Sequence, residues 1–317
     1  MRRLLVAVIL LGSACSPSET ADSTTSTTAP TGTTTTESVT NTESSASTTT
    51  TLAPTTTTTS VPSTTTTAGL EGTWAGEPLI TASFGALGWW NGSEWVDAEA
   101  AGELPVAGGE DYQTVRLDEL AMTTGGPQTV VCEPLGLIGV ELDDPGLLGD
   151  FPGPLGVAIS APWTLQPYLF EEIADDGSYA GFAADLLSGR GLDVASPVIK
   201  QLFRTDLEGD GVNEVLVVAE DVPANFLMEP GDYSIAFMRK VVQGKVQTAV
   251  IHETVAQDEE DTFAGAHSFG GVADLNNDGK MELITGSAFF EGFTLTIWDY
   301  VNDDLGPVSV LDTGCGV

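Results

Sequence analysis

The chain has 317 residues, with 10 Lys and Arg against 46 Asp and Glu, so its formal net charge is −36. Such an excess of carboxylates repels phosphate groups, which excludes nucleic-acid binding as a main function and electrostatic docking on anionic lipid headgroups. Hydrophobic residues make up 41% of the chain, which is enough for a core. The 36 Gly, 17 Pro and only 7% aromatic residues favour strands and turns over long helices.

Residues 1–15 are typical of an export signal. Arg2 and Arg3 precede an apolar run at 4–11 that is too short to span a bilayer, and small residues then lead to Cys15. This ending resembles the lipobox of bacterial lipoproteins, which implies cleavage before Cys15 and acylation of that cysteine. The alternative is plain secretion with Cys15 left without lipid. We expect a cell-surface protein that meets the membrane only through this N-terminal anchor.

Residues 16–69 form a low-complexity segment. They contain 25 Thr, 10 Ser and 4 Pro but almost no apolar side chains. Such a segment cannot offset its own ordering entropy, so the composition predicts a disordered tether between the anchor and a folded domain.

The cysteine count predicts one disulfide. If Cys15 carries lipid, Cys132 and Cys315 remain as an even pair in an oxidising compartment. A bridge between them would pin the last strand onto the middle of the domain. The alternative is two buried free thiols.

Residues 70–196 are predicted to be a β-rich part of the domain with one short helix. Apolar and alternating runs predict strands at 79–90, 93–98, 112–117, 129–133 and 137–142, and a helix at 178–187. Asn91 and Gly92 form a type I′ turn signal, which would pair Trp90 with Ser93 and Gly88 with Trp95.

Three tryptophans flank this turn. The predicted pairing places Trp90 and Trp95 on one face of the hairpin and Trp89 on the other. A Trp-rich hairpin either fills a core or presents rings that stack on sugars. All three are therefore candidate ligand-stacking residues, with core packing as the alternative.

Two acidic loops share one spacing and lie 68 residues apart. Each has oxygen-bearing side chains at loop positions 1, 3, 5 and 9, and a glycine at position 6 lets the chain turn so that they converge. Position 7 offers its main-chain carbonyl. Calcium prefers such a set of hard oxygens, so the loops predict two calcium sites. The predicted ligands are Asp206, Glu208, Asp210, Val212 and Glu214 in the first loop, and Asp274, Asn276, Asp278, Lys280 and Glu282 in the second.

The segments around the loops distinguish them from an EF-hand. Position 12 would be Val217 or Thr285 instead of the bidentate Glu, and a strand-like run follows each loop. A calcium loop that runs into a strand resembles the FG-GAP and VCBS repeats of extracellular β-propellers. In the second copy, the dipeptide at 269–270 and the small residues at 286–288 strengthen the likeness. Glu208 is long for the third position, so we expect the first site to be weaker.

The resemblance implies a mainly β fold with propeller-like blades. Matched hairpins follow both loops, at 233–251 and 293–311, so residues 197–317 are predicted to contain two such repeats. Residues 70–196 would then form either diverged blades or a separate cap. In this family calcium would hold the blade turns together, and the alternative is that it bridges a ligand.

One segment could indicate a hydrolase. Residues 266–270, Ala-His-Ser-Phe-Gly, approximate a nucleophile elbow. That motif needs a helix after the turn and a later histidine, and neither follows His267. We therefore expect a non-catalytic, calcium-stabilised binding or adhesion protein whose partner is an extracellular glycan or protein. The alternatives are a secreted hydrolase of glycans or phosphoesters and a structural envelope protein.

Overall fold

A computed structural model describes residues 77–117, 119–150, 152–165, 170–175, 177–258, 265–299 and 306–316, all within the compact unit Gly69–Val317. These residues form a mainly β fold, which confirms the expected class. The predicted export signal, Cys15 and the tether lie outside the described residues. None of the described helices is both long and apolar enough to cross a membrane.

The first sheet has seven antiparallel strands from the N-terminal part of the unit. In chain order they are β1 Ile80–Ala82, β2 Gly85–Trp90, β3 Trp95–Asp97, β4 Glu110–Arg116, β5 Glu119–Cys132, β6 Leu137–Leu142 and β7 Val157–Ile159. Their order in the sheet is β3-β2-β1-β7-β4-β5-β6. A short helix α1, Ala98–Ala101, and a 3-10 helix, Pro145–Leu148, lie in its connections. Residues 77–159 thus contribute one continuous seven-stranded sheet.

The second sheet is an antiparallel meander in the order β12-β11-β10-β9-β8. Its strands are β8 Glu171–Glu172, β9 Ile199–Thr205, β10 Glu214–Asp221, β11 Tyr233–Val242 and β12 Lys245–Val255. Helix α2, Ser178–Ser188, packs Ala183 and Leu187 against this sheet. Its first turn is capped by Asp175, whose carboxylate accepts the N–H groups of Tyr179 at 3.2 Å and Ala180 at 3.3 Å.

The third sheet is a meander of four antiparallel strands. It contains β13 Ala266–Ala273, β14 Glu282–Phe289, β15 Gly292–Asp299 and β16 Val308–Gly316. The two predicted repeats thus become β9–β12 and β13–β16, each with an acidic loop between its first two strands. Each is an antiparallel meander of four strands, an arrangement consistent with a propeller blade.

The third sheet is buried on both faces. Ile284 and Leu295 belong to a core shared with Ile80 and Ile159 of the first sheet. Leu283, the neighbour of Ile284, points the other way into a core shared with the second sheet, because successive side chains of a strand alternate between faces. A strand buried on both sides needs a continuous apolar run, and residues 283–284 supply it.

Cys132 and Cys315 form a disulfide, as predicted, with their Cα atoms 6.0 Å apart. Cys132 ends β5 of the first sheet and Cys315 lies in β16 of the third. The bridge therefore joins two sheets whose cysteines are 183 residues apart in the chain.

The predicted register of the Trp hairpin is wrong by two residues. Trp90 pairs with Trp95, and Gly88 pairs with Asp97, so the connection is a four-residue loop. The Asn91 side chain explains the longer loop, because its Oδ1 accepts the N–H groups of Ser93 and Glu94, both at 3.0 Å. Trp90 and Trp95 do share one face of the hairpin, as predicted, and their rings lie edge to face with centroids 5.3 Å apart.

Candidate functional site

The two acidic loops fold alike. The position 1 carboxylate accepts N–H groups from across its loop: Asp206 from Asp210 and Gly211 at 3.1 and 2.8 Å, and Asp274 from Asp278 and Gly279, both at 3.0 Å. The position 6 glycines have φ of 83° and 90°, in the left-handed region that the turn requires. Each loop is therefore bent around the oxygens of its first aspartate.

The position 9 glutamates begin the strands that follow the loops. Oε2 of Glu214 accepts the N–H of Leu207 at 2.9 Å, and Oε2 of Glu282 accepts the N–H of Leu275 at 2.6 Å. Both glutamates are buried, with 1% and 0% of their surface exposed. A side chain of this length at position 9 thus reaches back under the loop.

The second loop leaves one of these oxygens without a partner. Oε1 of Glu282 is buried and makes no hydrogen bond. Burial raises the pKa of Glu282 well above its usual value, and the charges of Asp299, Asp278 and Asp274 act in the same direction. An ionised, buried carboxylate near other carboxylates is costly unless it is protonated or a cation compensates its charge.

The rest of the second loop supplies further oxygens. Oδ1 of Asp274 and Oδ1 of Asn276 both accept the N–H of Asp278, at 3.0 and 2.9 Å, so the two oxygens are close neighbours. Oδ1 of Asp278 accepts the N–H of Lys280 at 2.8 Å. Asp274 and Asn276 are each only 9% exposed. This set of hard oxygens, with the unpartnered oxygen of Glu282, suits calcium.

The first loop differs at its centre. Nζ of Lys240 lies 2.6 Å from Oε1 of Glu208, and the two side chains are 4% and 13% exposed. Burial raises the pKa of Glu214 to about 7; the charge of Glu208 adds to this rise and that of Lys240 opposes it. The N–H of Val212 is bound to Oδ1 of Asp210 at 2.7 Å, as in the second loop. A lysine thus lies among the predicted ligands of the first loop.

In neither loop do charged side chains alone form a complete metal-binding site. Across the described ranges, no three His, Cys, Asp or Glu side chains are gathered closely enough to hold a metal ion. A calcium site at the second loop would draw on Asn276 and on the main chain as well as on its carboxylates. The unpartnered oxygen of Glu282 is therefore the observation on which the fit depends.

A cavity of about 580 Å³ is lined by residues of the second and third sheets and by residues 117 and 152–155, which flank strands of the first sheet. Four of its lining residues are phenylalanines from separate parts of the chain: Phe170, Phe203, Phe226 and Phe293. Glu172 and Lys200 are exposed at its surface. This size and mixture, mostly apolar with a few polar groups, is typical of a small-ligand site.

Backbone strain is concentrated at this cavity. Four non-glycine residues among those described have a left-handed φ, and two of them, Leu117 at 53° and Phe226 at 55°, line the cavity. Gln243 and Asn277, the other two, lie in a hairpin turn and in the second loop, where Asn in particular is common. Large apolar residues held in this conformation cost free energy and are found preferentially at functional sites.

His267 lies at the cavity wall with both ring nitrogens in use. Nδ1 is 2.8 Å from Oγ of Ser287, and Nε2 is 3.1 Å from Oγ1 of Thr254. The ring stacks on His252, with centroids 4.8 Å apart. Burial lowers the pKa of His267 to about 3 and that of His252 to about 4. These are neutral structural histidines at the junction of two sheets.

The nucleophile elbow is not formed. Residues 266–270 are part of β13, paired with β14 from Ala266↔Ala288 onward, so Ser268 lies in an extended strand. The arrangement lacks the sharp turn that exposes a catalytic serine.

The tryptophans of the hairpin are engaged within the fold. Trp89 is 9% exposed and belongs to a core cluster. Trp95 is half-buried against another cluster and donates its Nε1–H to Oδ2 of Asp299 at 2.8 Å. Trp90 packs on Trp95. The arrangement favours the core alternative over a ligand-stacking face.

Sequence reasoning missed Asp299, Lys240 and the strained residues of the cavity. Asp299 and Lys240 lie in the predicted hairpins after each loop, but only the strand register reveals that each is opposite the position 9 glutamate. Leu117 and Phe226 carry no local signal, since a left-handed φ is unexpected for either residue.

Comparison with known proteins gives no assignment. The chain matches no family profile, no curated protein and no solved structure.

Proposed function

We propose that the chain is an exported, surface-displayed protein whose β domain is stabilised by calcium and binds a partner without catalysing a reaction. The observation that carries this proposal is the cavity beside the second and third sheets, with two strained apolar residues in its wall. A binding site held open by the surrounding sheets needs little ordering when the ligand arrives.

Calcium would be held at the second loop by Asp274, Asn276, Asp278 and Glu282, with the carbonyl of Lys280 as a main-chain ligand. When bound, it supplies positive charge to carboxylates that otherwise repel each other. The loop connects β13 to β14, and both strands contribute residues to the cavity wall. The loop and the cavity lie at opposite ends of these strands, so calcium would stabilise the strand pair that carries one wall of the binding site.

The non-catalytic part of the proposal is supported by the histidines. The chain has only two, they stack on each other, and burial lowers their pKa values to about 4 and about 3, which makes both of them weak general bases. Glu220 is the partly buried carboxyl of the cavity. Burial raises its pKa, while the hydroxyl of Ser234, at 3.0 Å, and the charge of Lys200 oppose the rise.

The proposal is tested by screening the full-length chain, carrying Cys15→Ala to prevent acylation, on an array of extracellular glycans with and without calcium. We expect selective binding that weakens on chelation, and at least tenfold weaker binding for Phe226→Ala because its ring lines the cavity. Phe290→Ala is the matched control, since Phe290 is 52% exposed and lies outside the cavity wall.

Equal binding by the Phe226 and Phe290 variants would place the ligand elsewhere and overturn the cavity assignment. Release of shortened glycans from the array would instead favour the hydrolase alternative. A chain that binds nothing on the array or among extracellular proteins would favour a structural envelope role.

A further inference from the structure

The two repeats place residues of opposite charge at one equivalent position. Val215 pairs with Arg239, so Glu214 lies opposite Lys240 on the neighbouring strand. In the second repeat Leu283 pairs with Trp298, so Glu282 lies opposite Asp299. Side chains opposite each other on adjacent strands share a face and lie close together. The position 9 glutamate thus has a lysine beside it in one repeat and an aspartate in the other.

The lysine lies on β11 and its side chain reaches the first loop. Its ammonium lies 2.6 Å from Oε1 of Glu208, and only 4% of the lysine side chain is exposed. Its charge also lowers the pKa of Glu214, so it interacts with the carboxylates of positions 3 and 9. Glu208 is longer than Asn276, its counterpart in the second loop, and this extra length lets it reach the ammonium.

The second loop has the reverse arrangement. Asp299 is 8% exposed, and the indole N–H of Trp95 fixes its Oδ2 at 2.8 Å. Its charge adds to the field that raises the pKa of Glu282, whose Oε1 has no hydrogen-bond partner. One position 9 glutamate therefore has a nearly buried ammonium beside it, and the other has a further carboxylate.

We propose that Lys240 takes the place of a metal ion in the first loop, so that the first repeat is a metal-independent copy of the second. A nearly buried ammonium that pairs with position 3 and lies beside position 9 occupies the region a divalent ion would need, and it repels such an ion. The sequence-based expectation of a second, weaker calcium site is thereby replaced by an internal ion pair. The comparison with the second loop rests on the calcium site proposed above.

Calcium stoichiometry tests this directly. Chelator-treated full-length chain carrying Cys15→Ala is titrated with calcium and weighed by native mass spectrometry. We expect one ion for this parent and for Lys240→Arg, which keeps the charge. Lys240→Asp, which copies the arrangement at Asp299, should bind two, and adding Asp210→Ala should return it to one.

A second measurement does not depend on the folding of the Lys240 variants. Asp278→Ala should abolish the rise in melting temperature caused by millimolar calcium, whereas Asp210→Ala, at the matched position of the first loop, should leave that rise unchanged. Two ions on the parent chain, or loss of an ion in Asp210→Ala, would overturn the proposal. A folded Lys240→Asp that still binds one ion would do so as well.

The outcome also separates this inference from the proposed calcium site. No ion on the parent but one on Lys240→Asp would refute the site at the second loop and leave the role of Lys240 standing. Two ions on the parent would refute the role of Lys240 and leave the calcium site at the second loop standing.

Discussion

Glu214 and Glu282 occupy the same position in two repeats, and the residue across the strand decides what each of them needs. A buried carboxylate costs several kcal/mol unless it is paired or protonated. Lys240 lowers this cost for Glu214, whereas Asp299 increases it for Glu282. Two loops with the same sequence could therefore differ in their need for a cation, because the residue that balances the charge of the glutamate lies on another strand.

The stacked histidines carry a pH dependence of known sign. Both pKa values are lowered from 6.5, to about 4 for His252 and about 3 for His267, so below pH 6.5 the unfolded chain binds protons that the folded chain does not. Their contribution to the free energy of unfolding is complete above pH 6.5 and is lost as the pH falls toward 4 and then 3. The loss is about 1.4 kcal/mol per pH unit for each histidine.

This prediction is checked by urea unfolding between pH 7.5 and 5 for the parent and His252→Gln. Glu214 titrates in the same window with the opposite sign, because its raised pKa makes its contribution disappear as the pH rises through about 7. The difference between the two chains removes that effect. We expect the advantage of the parent to shrink with acidity, and parallel curves would contradict the assignment.

At the scale of elements, the disulfide is the one covalent link between the first and third sheets in the described residues. Replacing Cys132 and Cys315 together by Ala should lower the free energy of unfolding by roughly 2–5 kcal/mol, because the unfolded chain regains the freedom of a long loop. Urea midpoints measure the change. Dithiothreitol should lower the midpoint of the parent similarly and leave that of the double variant unmoved; equal midpoints for parent and variant would show that the bridge contributes nothing.

Local patterns allowed several elements to be predicted from the sequence. Strand β6 at Leu137–Leu142 and helix α2 follow their apolar spacing, and both acidic loops sit between strands as their spacing requires. The register of the Trp hairpin was predicted wrongly because the hydrogen bonds of the Asn91 side chain, and not its turn preference alone, determine the length of the loop.

Pairing over long distances was not predictable. β7 is only three residues long, yet it lies between β1 and β4 and joins strands that are far apart in the chain. Nothing in its local composition indicates that position. The candidate site could likewise be predicted only in part. The ligands of the loops follow from their spacing in the sequence. The roles of Lys240, Asp299 and Phe226 depend on strand register and backbone conformation, which the local sequence does not reveal.

At the scale of the whole molecule, the proposed surface display depends on acylation of Cys15, because a charge of −36 does not favour docking on anionic lipid headgroups. Cys15→Ala should therefore move the protein from the membrane fraction into the medium. Immunoblots of the two fractions give the answer, with Ser18→Ala as a control that keeps the cysteine. A parent chain found wholly in the medium would favour the secreted alternative.

The place of β1 in the first sheet has a mechanical consequence for the surface display proposed above. The chain enters the described fold just before Ile80, and β1 is paired with β2 on one side and β7 on the other. Traction from the N-terminal side thus loads an interior strand, whose hydrogen bonds on both sides must yield to withdraw it. An edge strand could instead be peeled away along one side. Tension between the N-terminal segment and a ligand in the proposed binding cavity would therefore have to break two ladders of hydrogen bonds at once.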